Sequence, residues 1–66
     1  MSVRMKDLNR AQLKAYRSLQ VVPTITELTL TDRDLAGYVH LTGRRSGESF
    51  AYVLTPHGYI NLDPRR

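Results

Sequence analysis

Apolar residues first recur at helical spacing. Wound at about 100° per residue, Leu8, Ala11, Ala15, Tyr16 and Leu19 fall on one arc, and Lys6, Arg10, Lys14 and Arg17 fall on the other. Asn9 is placed to cap this helix, Gln12 three residues on completes a capping box, and Leu8 and Leu13 hold the two positions of a hydrophobic staple. Gln20-Val21-Val22-Pro23 ends it, because proline disfavours helical backbone at the preceding residue and cannot itself join the ladder.

Beyond Pro23 the period shortens. Thr24-Ile25-Thr26-Glu27-Leu28-Thr29-Leu30-Thr31 is rich in β-branched residues and reads as a strand, yet Thr24 with Glu27 and Thr31 with Asp34 also match capping boxes, so a strand and two short helices both fit. Thr31-Asp32-Arg33-Asp34 has turn composition. Two β-rich runs follow, Gly37-Tyr38-Val39-His40-Leu41-Thr42 and Ser49-Phe50-Ala51-Tyr52-Val53-Leu54, with Arg44-Arg45-Ser46-Gly47 as the hairpin tip between them. If Gly43 and Glu48 close this four-residue loop, Leu41 faces Phe50 and Val39 faces Tyr52 on a core side, while Tyr38, His40 and Thr42 look outward with Ala51 and Val53. A loop one residue shorter pairs His40 with Phe50 and Tyr38 with Tyr52, giving an aromatic platform of the kind on which single-stranded bases stack. Thr55-Pro56-His57-Gly58 is a further turn, Tyr59-Ile60-Asn61-Leu62 a last short strand, and Asp63-Pro64-Arg65-Arg66 a basic tail.

These elements predict an α+β fold in which an N-terminal helix packs on a three- or four-stranded antiparallel meander. The 66 residues form a single domain, with ends expected to fray at about residues 1–7 and 63–66. A chain this short buries only about 60% of the surface its unfolded form exposes, so stability is marginal, and a homodimer is one remedy. There is no cysteine to staple it, no signal-peptide core and no apolar run of membrane-spanning length, which together predict a cytoplasmic protein without a membrane partner. Ten Lys and Arg against six Asp and Glu give +4, a balance suited to phosphate backbones or acidic protein surfaces.

Catalytic chemistry is not expected. His40 and His57 are the only histidines and have no metal-ligand spacing; the carboxylates Glu27, Asp32 and Asp34 read as a charged turn beside Arg33. Gly43-Arg44-Arg45-Ser46-Gly47 lacks the lysine and helix of a phosphate loop. No metal and no cofactor is expected.

Leu8-Asn9-Arg10-Ala11-Gln12-Leu13 resembles the first helix of winged-helix repressors, Pro23-Thr24-Ile25-Thr26-Glu27-Leu28 the start of their second, and Tyr52-Val53-Leu54-Thr55-Pro56-His57-Gly58 the returning strand of their wing. The resemblance implies a compact winged helix as the alternative fold, with a recognition helix within residues 32–41 that includes Arg33 and a wing near Arg44 and Arg45. Two functions remain open. One is a non-catalytic nucleic-acid-binding regulator, with Lys6, Arg10, Lys14, Arg17, Arg44 and Arg45 on phosphates of DNA or RNA and Tyr38 and His40 as further contacts. The other is a small protein-binding modulator or inhibitor, of the kind mobile elements encode, acting through its hairpin tip or edge strand on an acidic protein surface.

Overall fold

The computed structural model describes residues 3–64. A 3₁₀ turn at Met5–Asp7 leads into helix α1 (Arg10–Gln20), and four strands follow, β1 (Ile25–Arg33), β2 (Val39–Arg45), β3 (Glu48–Leu54) and β4 (Ile60–Leu62). They form one antiparallel sheet in the order β1-β2-β3-β4, and α1 packs across one face of it. This is the predicted helix-on-meander architecture, with four strands. Of the ends expected to fray, residues 1–2 and 65–66 lie outside the described residues.

Helix α1 starts where its cap predicts. Asn9 Oδ1 accepts the Gln12 N–H at 2.8 Å and Gln12 Oε1 accepts the Asn9 N–H at 3.3 Å, the reciprocal capping box. Ala15, Tyr16 and Leu19 are buried against the sheet as their arc requires. One position differs: Ala11 is exposed and Gln12 is buried in its place. The Gln12 amide is tolerated there because it donates to the carbonyls of Gly37 and Thr55 at 2.9 and 3.2 Å and of Leu54 at 3.4 Å.

Residues 25–31 settle as strand, with Thr24 in the turn before it. The expected turn at Thr31-Asp32-Arg33-Asp34 lies later, at Asp34-Leu35-Ala36-Gly37, and β1 runs through to Arg33. Neither the second helix nor the recognition helix of a winged helix forms, since residues 23–28 hold a turn and the start of β1 and residues 32–41 hold the end of β1, a turn and the start of β2. Both residues of the second capping-box match are used otherwise: Thr31 Oγ1 donates to the His40 carbonyl, and Asp34 Oδ1 accepts the N–H groups of Ala36 and Tyr38. Glu27 takes a left-handed φ of 57° at the first of two bulges in β1, between Thr26 and Thr29 and between Leu30 and Asp32. The first bulge reverses which side chains face the core, so Ile25 and Leu28, three residues apart, both pack inward with Leu30.

The central hairpin differs from its expected register. Its loop is Ser46-Gly47 alone, with Arg44 and Arg45 inside β2, and both loop residues have positive φ, at 53° and 83°, as a type I′ turn requires. Gly43 therefore faces Phe50, Leu41 faces Tyr52 and Val39 faces Leu54. The shift is two residues, an even number, so each side chain keeps its expected face. Val39, Leu41, Phe50 and Leu54 form the sheet side of the core, and the aromatic platform built on His40 with Phe50 and Tyr38 with Tyr52 does not occur. Phe50 lies against bare backbone: a Cβ on Gly43 would sit 2.7 Å from Phe50 Cζ.

The other two turns repeat one design, Asp34-Leu35-Ala36-Gly37-Tyr38 and Thr55-Pro56-His57-Gly58-Tyr59. In each, the first residue's carbonyl accepts the glycine N–H, its N–H donates to the tyrosine carbonyl, and its side chain accepts the tyrosine N–H. Gly37 and Gly58 have φ near +90°, at 90° and 89°. Gly58 also meets the helix so closely that a Cβ would lie 2.8 Å from the Ala11 carbonyl oxygen.

Candidate functional site

Folding sorts the charges into two layers. Arg4, Lys6, Arg10, Lys14 and Arg17 all belong to the N-terminal segment and α1, are all exposed, and have Asp7 as the only acid among them. Arg10, Lys14 and Arg17 are spaced four and three residues apart, which lines them along one outer stripe of the helix. On the opposite, open face of the sheet or at its rim lie Glu27, Asp32, Asp34 and Asp63, with Arg44 paired to Glu27 among them, and Glu48 stands beside Arg45 at the hairpin. The sequence-predicted site residues are therefore divided among three places. Lys6, Arg10, Lys14 and Arg17 share the helix layer, Arg44 and Arg45 stand at the hairpin end of the sheet, and Tyr38 and His40 lie on the open side towards the other end.

At the hairpin end the guanidinium groups are exposed but tethered. Arg44 pairs with Glu27 at 2.9 Å and donates to the Gly47 carbonyl at 3.0 Å, and Arg45 donates to the Tyr52 hydroxyl at 3.2 Å. Half of the Arg44 side chain remains in water, so the Glu27 pair contributes little to stability.

His40 departs most from its sequence reading. It sits on the outward face of β2 as expected, yet only 5% of it is exposed. Asp63 Oδ2 lies 2.8 Å from its Nδ1 and Asp34 Oδ2 lies 3.4 Å from its Nε2, so the ring bridges the β1–β2 turn to the segment after β4. Asp34 was legible as a turn former; Asp63, 23 residues from His40 in the chain, carried no local signal. Tyr38 remains partly exposed at 38%, and beside it the cross-strand row His40, Val53 and Asn61 floors a groove of about 570 Å³.

Asp34 gives this region a pH dependence. The Tyr38 N–H donated to its carboxylate holds the Asp34 pKa below the ordinary value; partial desolvation opposes this, while His40 and the Ala36 N–H reinforce it. A carboxyl depressed in the folded state stabilises above its unfolded pKa and loses that contribution as pH falls through the folded one. Thermal melts from about pH 5 down to pH 2 are expected to show wild type losing stability more steeply than Asp34→Asn, which keeps the Oδ1 acceptor but cannot titrate. Parallel curves would remove Asp34 from the acid response.

Among the described residues, no group of three or more His, Asp or Glu is placed to hold a metal ion, and no helix is long and apolar enough to cross a membrane. No protein-family model, curated protein or solved structure matches this chain.

Proposed function

We propose that this chain is a small, non-catalytic nucleic-acid-binding regulator that contacts phosphates through its helix layer. The observation that carries the reading is the distribution of charge: five exposed cations with Asp7 as the one acid among them in the N-terminal segment and helix, against Glu27, Asp32, Asp34 and Asp63, with Arg44 paired to Glu27, on the open side of the sheet, while Glu48 stands beside Arg45 at the hairpin. Phosphate contacts of this kind position a protein without reading sequence. Arg44 and Arg45, on opposite faces of the hairpin end, are secondary contacts because both already have intramolecular partners. A cytoplasmic setting belongs to the same proposal, since a chain without cysteine gains nothing from an oxidising compartment.

Titration against a random duplex, a single strand and RNA over a range of salt tests it. For duplex DNA, each lost phosphate contact lowers the salt slope of log affinity by about 0.9, so Arg10→Gln with Lys14→Gln and Arg17→Gln is expected to reduce it by about 2.7, with folding retained. Arg44→Gln with Arg45→Gln is expected to reduce it less. An absence of binding to all three nucleic acids at low salt ends this reading. The second reading, a protein-binding modulator, is favoured by the partly apolar groove on the open face, which the phosphate surface leaves unused.

A further inference from the structure

The groove lies on the face away from α1, and its make-up differs from that of the helix layer. Its floor is the row His40, Val53 and Asn61, and Tyr38 and Leu62 stand at its sides. A volume of about 570 Å³ is within the range of roughly 300–1,000 Å³ typical of ligand sites. The walls are mostly apolar; Asp34 flanks His40 at one end of the floor row and Asn61 lies at the other, beyond Val53. The Asp34 side chain is 42% exposed; two backbone N–H groups occupy Oδ1 and hold it in place, and Oδ2, 3.4 Å from His40 Nε2, keeps an acceptor site for a ligand.

The charge of the groove selects its ligand. Among the described lining residues, the carboxylate of Asp34 is the acidic group that faces the groove. A cation finds the Asp34 carboxylate, the partly exposed Tyr38 ring and an apolar floor for its stem. Guanidinium fits these features better than ammonium, because its weakly hydrated plane stacks on an aromatic ring while an N–H at its edge donates to Asp34 Oδ2, the oxygen that the backbone N–H groups leave open. The groove is shallow, and Leu62 at its side and Tyr59 nearby in the chain are 73% and 70% exposed. A free small molecule leaves that apolar surface in water; a polypeptide carrying the guanidinium covers it.

We propose that this groove binds an arginine side chain presented by a segment of a partner protein. The inference depends on the open face of the sheet and is independent of the helix-layer reading, so either can fail alone. The partner's arginine stem lies along Val53 and its guanidinium pairs with Asp34 beside the Tyr38 ring, while neighbouring apolar residues of the segment cover Leu62.

The test is a titration of the isotopically labelled full chain, followed by NMR, with a capped Gly-Leu-Arg-Leu-Gly peptide, its citrulline counterpart and free arginine amide. Citrulline keeps the shape of arginine and removes its charge. The expected result is shifts centred on Tyr38, Val53, Asn61 and Leu62, with the citrulline peptide about tenfold weaker than the arginine peptide. Asp34→Asn is expected to abolish that preference, and Leu62→Ser, at an exposed position that folding does not need, to weaken both peptides. If Asp34→Asn fails to fold, loss of the arginine preference at high salt in the wild type serves the same purpose. Equal affinity for both peptides, free arginine amide binding as tightly as the peptide, or shifts confined to α1 would overturn the proposal. So would shifts at the groove that depend on protein concentration alone, which would make a second copy of the chain the occupant.

Discussion

Phe50→Ala is expected to cost about 3–5 kcal/mol, the range for truncating a buried phenylalanine. Only 7% of Phe50 is exposed; its ring packs against the Gly43 backbone and lies 4.3 Å, centroid to centroid, from that of Tyr52. The site cannot collapse onto a smaller side chain easily, because the residue opposite is a glycine with no atoms to move into the gap. At roughly 0.05–0.15 kcal/mol per residue, a chain of 66 residues has about 3–10 kcal/mol in total. The variant is therefore expected to be largely unfolded at 37 °C, as chemical denaturation would show. Tyr38→Ala, half-exposed on the other face, is expected to be much milder, and the reverse order of the two would contradict the placement of the core.

Gln12→Leu is expected to be nearly as damaging although it adds apolar surface. Gln12 is 2% exposed, and its amide serves the carbonyls of Gly37, Leu54 and Thr55. Leucine fills the space but leaves those oxygens without their donor, at about 1–3 kcal/mol for each one left unsatisfied in the interior. It also removes the side-chain half of the capping box. Gln12→Glu keeps the acceptor for the Asn9 N–H, loses the donors and in addition turns a buried carboxylate oxygen towards those carbonyls. The two variants are expected to melt at similarly low temperatures; a stable Gln12→Leu protein would mean that water or a shifted backbone satisfies the carbonyls.

Local signals account for what the sequence revealed. The Asn9 and Gln12 side chains fix the helix start within one turn, and alternation in β2 and β3 fixes which residues face the core even though the loop length is misread. The misreading has a definite cause: Ser46 adopts positive φ without being glycine or asparagine, so the two-residue turn carries only half of its usual signature. In β1 the bulges disturb the period of two, and capping-box matches compete with β-branched composition until pairing with β2 decides. The helix cations were legible as a stripe. Their isolation from the acids was not, because it depends on β1, β2 and the segment after β4 meeting on the far face of the sheet.

That isolation also affects how the molecule approaches a partner. With positive charge on the helix layer and negative charge across the sheet, the protein has a dipole moment in addition to its net charge, and a polyanion exerts a torque on it before contact. At about 0.01 M salt the screening length is about 30 Å, longer than the 20 Å shortest extent of the molecule, so both layers feel the partner and the helix side turns towards it. At about 0.15 M the length falls to about 8 Å, and the acids across the sheet are hidden from a ligand seated on the helix. Salt therefore slows oriented encounter and relieves the repulsion from the far face together, so the association rate is more salt-sensitive than the docked complex itself.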